Sequence, residues 1–169
     1  ENTFTLDIPL SSRTKKIVAV GSINIDVTLN VDELPQPGRT IITNMHTVIP
    51  GGKGANQAVG AAKLGADVSL IGKVGNDYYA SMIYAAMEEH RVDSSGITRE
   101  FGDETGKAYI HVRGDGESTI TILQGANQRL TPEDIRCSAR LFENAGYCLL
   151  QTEIPVDAVP ANEKAAGAL

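Results

Sequence analysis

Pro50-Gly51-Gly52-Lys53-Gly54-Ala55-Asn56-Gln57-Ala58 sets three glycines within four positions directly ahead of a run that reads as the first turns of a helix. Glycine lets the main chain bend sharply and lets backbone approach a ligand or another segment, so this stretch predicts a tight turn opening a helix beside a small-molecule site. Glycine also ends strands and lets helices lie close on sheets, so the segment needs further support. It is not a phosphate loop of the G-x-x-x-x-G-K-[ST] kind. Nor does Gly52-Lys53-Gly54 continue to the third glycine of a dinucleotide fingerprint.

The support comes from Val18-Ala19-Val20-Gly21-Ser22-Ile23-Asn24-Ile25-Asp26. The apolar run Ile17 to Val20 reads as a buried strand, and Gly21-Ser22 ends it. Asn24 and Asp26 follow two residues apart, which puts both side chains on one face if the backbone stays extended. In open α/β sheets ligands sit beyond the carboxyl ends of the strands, where this pair falls. An amide that both donates and accepts, next to a carboxylate that only accepts, suits two neighbouring hydroxyl groups. The same two residues would equally serve as an Asx turn capping the strand.

Together with Leu34-Pro35-Gln36-Pro37-Gly38, Gly72-Lys73-Val74-Gly75-Asn76-Asp77, Gly125-Ala126-Asn127 and Gln151-Thr152-Glu153-Ile154-Pro155, these two segments resemble the N-terminal half of a ribokinase-type (PfkB family) carbohydrate kinase. The likeness runs from about Ile17 to the end of the chain. It implies an α/β fold: a ribokinase-like, doubly wound, mostly parallel sheet with helices on both faces and a small β-sheet lid, lacking the C-terminal part of the fold. It also implies ATP-dependent phosphorylation, with Asn24, Asp26, Gly52, Lys53, Asn56 and Glu153 holding the sugar. The wording Gly-Gly-Lys-Gly-Ala-Asn-Gln is similar to family members that phosphorylate the 5-hydroxyl of D-ribose. Related pentoses and nucleosides stay open as substrates.

The rest of the chain fits that frame. Residues 25–50 read as two extended strands around the Pro35-Gln36-Pro37-Gly38 turn. A second hairpin reads from Lys107 to Arg113, through Gly114-Asp115-Gly116-Glu117, to Ser118 through Leu123. By the resemblance both belong to the lid, which spans parts of residues 25–50 and 107–124. Ala108, Ile110 and Val112 alternate with Tyr109, His111 and Arg113, so one face is apolar, and Ile110 either lines the sugar pocket or serves as core. Elsewhere the pattern predicts helices over Gln57 to Lys63, Tyr78 to His90 and Thr131 to Phe142, and strands over Val68 to Val74 and Tyr147 to Gln151. Asn76 and Asp77 read as caps of the helix that follows them. Another helix is expected to begin near Val156. Residues 1–16, rich in Thr and Ser, read as a flexible arm or linker, and residues 17–169 as the N-terminal part of one kinase-like domain.

Composition bounds the function further. A net charge of -6 with no basic run argues against nucleic acid as the main partner. No apolar stretch reaches membrane-spanning length. Cys137 and Cys148 have neither metal nor redox spacing, which suits a cytoplasmic protein with reduced thiols. His46, His90 and His111 are scattered, so no metal site is expected among them. The resemblance implies ATP, Mg2+ and K+ as cofactors and D-ribose or a related pentose as substrate. However, the family keeps its catalytic Asp, in a Gly-Ala-Gly-Asp-like segment, its Asn-x-x-Glu motif and its nucleotide pocket in the C-terminal half, and no Gly-Ala-Gly-Asp segment occurs in these 169 residues. No catalytic residue is therefore assigned within them, and the chain as written is expected not to transfer phosphate. Two other readings remain: a catalytically inactive, sugar-binding regulatory module, and a module that forms a homodimer through its lid strands.

Overall fold

The computed structural model describes residues 15–158. Most of the arm expected at the N-terminus, and the continuation of the helix expected from Val156, lie outside these residues. Within them Lys16 already opens the first strand, and Val156–Ala158 forms a single 3-10 turn.

The described residues hold eight strands and three α-helices, in the order β1 (Lys16–Val20), β2 (Asn24–Val31), β3 (His46–Gly51), α1 (Lys53–Lys63), β4 (Val68–Gly75), α2 (Tyr78–Glu89), β5 (Val92–Glu100), β6 (Gly106–Arg113), β7 (Ser118–Leu123), α3 (Pro132–Cys137) and β8 (Ala145–Leu150). They form two sheets. The larger has the order β5-β4-β1-β8 and is parallel throughout. The smaller, in the order β3-β2-β6-β7, holds the two hairpin-like pieces predicted for the lid, with a parallel β2-β6 seam at its centre.

The central strands of the larger sheet are buried on both faces, which is why they read as unbroken apolar runs. Ala19, Val68, Leu70 and Val74 point to one side and meet Ala55 and Ala58 of α1 and Ala80, Ile83 and Met87 of α2. Val18, Val20 and Ile71 point to the other and meet Leu130, Ile135 of α3, Phe142 and Ile154. Helices thus cover both faces of a parallel sheet, as the sequence pattern predicted.

Three elements differ from expectation. α1 starts at Lys53, four residues earlier than predicted, so Lys53 and Gly54 lie inside the helix, Gly52 is its N-cap and Gly51 ends β3. The helix predicted over Thr131 to Phe142 stops at Cys137, and a 3-10 turn follows over Ala139–Phe142. At the break, the hydroxyl of Ser138 donates back to the carbonyl of Asp134 at 3.0 Å, a local bond that competes with helix continuation. Strand β5 was not predicted at all. Among the described residues it is an edge strand paired only with β4, and its run of Asp93, Ser94, Ser95, Thr98 and Arg99 carries little apolar signal.

Among the described residues no helix is long and apolar enough to cross a membrane. Cys137 and Cys148 are both free and exposed.

Candidate functional site

Three segments converge beyond the carboxyl end of β1. After Val20 the chain runs through Gly21, Ser22 and Ile23 into β2, and the start of α1 lies directly on this connection. Gly52 makes the approach with φ 92°, a left-handed conformation that glycine alone adopts freely. Gly54 then meets Gly21 backbone to backbone, and the Ala55 N–H donates to the Ser22 carbonyl at 3.2 Å. From the other side comes the segment after β8. The Gln151 N–H donates to the Val20 carbonyl at 2.9 Å, and its side-chain carbonyl accepts from the Ser22 N–H at 3.0 Å.

This convergence sets Glu153. Its Oε2 accepts from the Ser22 hydroxyl at 3.0 Å, and its Oε1 is ion-paired with the Lys53 ammonium at the first position of α1. Beside it lies a cavity of about 140 Å³, lined by Ser22, Asn24, Ile122, Gln124, Asn127 and Glu153. A single water needs only a small part of that space, so the cavity admits a small polar ligand. Asn24 is 4% exposed at the start of β2. Its Oδ1 accepts from Asn127 Nδ2 at 2.8 Å, whereas its own Nδ2 has no partner among the described residues.

Of the residues predicted for sugar binding, Asn24 and Glu153 line this cavity together, Lys53 is joined to it through Glu153, and Gly52 forms the turn against residues 22–24. Asp26 follows Asn24 on the same face of β2, but its carboxylate lies over the α-carbon of Gly51, outside that cavity, where burial pushes its pKa above the ordinary value. Asn56 is exposed and faces a different, larger cavity of about 450 Å³ between α1 and α2, shared with Gly51, Met82, Met87 and His90. Ile110 is half-buried on β6 opposite Thr28, on the face that carries Asp26, and it is Ile122 of β7 that reaches the smaller cavity. The expected site is thus divided, with Asn24, Lys53 and Glu153 on one side of the glycine turn and Asn56 on the other.

Ser22, Gln124, Asn127 and Gln151 were not predicted as site residues. Asn127 and Gln151 belong to segments that carry the resemblance, and both are buried with their side chains bonded to the backbone of residues 22–23. Asp77 caps α2 by accepting from the Ala80 N–H at 3.0 Å, and it also accepts from the N–H and hydroxyl of Thr105, just ahead of β6. Asn76 makes no cap, and instead accepts from Arg99. Among the described residues no group of three His, Cys, Asp or Glu side chains could hold a metal ion.

Chemically the small cavity offers an amide donor, an acceptor carboxylate held by a hydroxyl and an ammonium, and one apolar wall. That set suits a compact polyol: hydroxyls can donate to Glu153 and accept from Asn24, while carbon faces Ile122.

Comparison with known proteins shows the family of the chain. Residues 14–168 match the model of the pfkB family of carbohydrate kinases. The chain is 41% identical over 146 residues to a bifunctional ribokinase/ribose-5-phosphate isomerase A of Fructilactobacillus sanfranciscensis, covering 86% of this chain and 27% of that protein. It is 37% identical over 147 residues to the ribokinase of Staphylococcus aureus, covering 86% of this chain and 48% of the relative. Its fold is similar to the solved structure of Arabidopsis thaliana ribokinase complexed with ribose and ATP, with a TM-score of 0.77, 32% identity, and coverage of 90% of this chain and 51% of that one. The chain spans about half the length of the ribokinases it matches. With a family match over nearly its whole length, the chain belongs to the pfkB family of carbohydrate kinases.

Proposed function

We propose that these residues form the sugar-binding part of an ATP-dependent kinase that phosphorylates the 5-hydroxyl of D-ribose or a closely related pentose. The observation that carries this reading is the small cavity that Asn24 and Glu153 both line, with Glu153 braced by Lys53 and Ser22. Asn24 donates to a sugar hydroxyl, Glu153 accepts from another, and Ile122 covers apolar carbon. Asp26, Gly52, Asn56 and Ile110 complete the sugar contacts once the lid sheet closes, and the closed lid excludes water that would otherwise take the phosphoryl group. None of these residues acts as the base that removes the hydroxyl proton.

Phosphoryl transfer is catalysed mainly by positioning and charge stabilisation. The described residues contribute the positioning of the acceptor. ATP, Mg2+ and K+ are the cofactors this reading requires, and ATP is bound by the similar Arabidopsis ribokinase. The proposed setting is the cytoplasm, and the proposed assembly is a homodimer through the lid.

Two measurements test the reading. Titration calorimetry of the 169-residue chain with D-ribose is expected to show binding, and a coupled ADP-release assay on that chain is expected to show no turnover. The polypeptide as its gene encodes it is expected to release ADP only when ribose is present. Absence of ribose binding, or turnover by the verified 169-residue chain, contradicts the assignment. Ribose binding without turnover by the gene-encoded polypeptide would make the protein a sugar-binding module instead.

A further inference from the structure

We propose that Asn127 is a positioning residue that decides which end of the Asn24 amide faces the sugar. The inference rests on the reading of the small cavity as the sugar site, and it concerns a side chain that lies behind Asn24.

Asn127 is 2% exposed, and every polar atom of its side chain is engaged with a group whose polarity cannot change. Its Oδ1 accepts from the Ile23 N–H at 2.8 Å. A backbone N–H can only donate, so the oxygen of the Asn127 amide must face it. Its Nδ2 then faces three acceptors: the Ile23 carbonyl at 3.0 Å, the Gln124 carbonyl at 3.0 Å and Asn24 Oδ1 at 2.8 Å. With two hydrogens for three acceptors, one hydrogen is shared. Reversing the Asn127 amide would set nitrogen against an N–H and oxygen against two carbonyls, so its orientation is imposed by the backbone.

That orientation passes to Asn24. Because Asn127 presents a donor, Asn24 must answer with its oxygen, and its Nδ2 is left without a partner among the described residues beside the cavity. The back of the amide pair is closed by Gly106, where an added methyl would collide with both Asn24 Oδ1 and Asn127 Nδ2. The site is therefore offered a hydrogen-bond donor from Asn24 and an acceptor from Glu153, and a sugar whose hydroxyls match that polarity is selected. Asn127 never touches the sugar.

The test is a double-mutant cycle on D-ribose affinity in the polypeptide as its gene encodes it, with Asn24→Ala, Asn127→Ser and the double variant measured by calorimetry. Each single change is expected to weaken binding by about tenfold, the loss of one amide hydrogen bond. In the Asn24→Ala background, Asn127→Ser is expected to change affinity by less than about twofold, because Asn127 acts only through Asn24. Losses that multiply would overturn the proposal. Side-chain amide NMR of the wild type gives an answer that depends neither on variants that fold nor on ribose. In the free protein the Asn127 NH2 is expected to exchange slowly and the Asn24 NH2 quickly, and an Asn24 NH2 protected before any sugar is added would also overturn it. If the wild type fails to bind ribose, the substrate reading fails, and the free-protein spectrum still decides the orientation.

Discussion

A methyl group at Gly54 would stand 2.6 Å from the backbone carbon of Gly21 and 2.8 Å from the Ser22 nitrogen. Both are main-chain atoms that cannot rotate away, so Gly54→Ala is expected to force α1 off the sheet and cost about 2–3 kcal/mol in urea denaturation. Glu153 behaves differently. Its pairing with Lys53 is half in solvent, the lysine side chain being 64% exposed and the glutamate 29%, so the pair adds little to stability. Glu153→Gln is therefore expected to shift the melting temperature by less than about 2 °C, while calorimetry should show D-ribose affinity reduced by about tenfold or more, since a charged acceptor is lost. Equal loss of stability and affinity would mean that Glu153 is a structural residue.

The start of α2 and the entry to β6 are tied together by one carboxylate. Burial by itself would raise the pKa of Asp77. Hydrogen bonds from the Thr105 N–H, the Thr105 hydroxyl and the Ala80 N–H, with Lys107 nearby, outweigh it and hold the group below the ordinary 3.8. A lowered carboxylate pKa means that the stabilisation is present in full above 3.8 and is lost as pH falls through the folded value. Asp77→Ala is accordingly expected to cost about 2–4 kcal/mol at pH 7, combining a lost helix cap with an orphaned Thr105 N–H. The gap between variant and wild type should narrow as urea denaturation is repeated down to about pH 3. Asp26, whose pKa burial raises, contributes with the opposite sign, losing stability as pH rises through its folded value. Its contribution is common to both proteins and drops out of the comparison.

The lid sheet has two unlike faces. Val27 and Val48 lie against the core beneath α1 and α2. The opposite face carries Asn24, Asp26 and Thr28 together with Ile49, Ile120 and Ile122, three isoleucines that are 54%, 57% and 44% exposed. Exposed apolar residues gathered on one sheet face mark a surface that another element covers. The proposed lid homodimer would cover it. Equilibrium sedimentation is expected to give a dimer for the wild type and a monomer for Ile120→Glu, which sets a charge on the β7 edge of that face beside Ile122. A wild-type monomer at tens of micromolar would remove the homodimer from the proposal. The outer edge of β8 is likewise unpaired among the described residues, and the similar ribokinases are about twice as long as this chain.

Much of the architecture was legible in local chemistry. Ile17-Val18-Ala19-Val20 reads as a buried strand because both its faces are apolar, and Thr131-Pro132-Glu133-Asp134 reads as a helix start because its capping box closes within four residues. The glycine turn and Asn24 were legible for the same reason, because short-range geometry dictates which residue types fit there, whereas Asp26, read with Asn24 as a pair, lies outside the small cavity. What the sequence could not reveal depends on contacts across long chain separations. β5 exists because β4 offers it a ladder of backbone hydrogen bonds, whatever the polarity of its side chains. Asn127 and Gln151 acquire their roles only when folding brings them, 104 and 129 residues away in sequence, to Ile23 and Ser22. The division of the expected sugar residues between two cavities likewise follows from where α1 settles on the sheet, which packing decides and spacing does not.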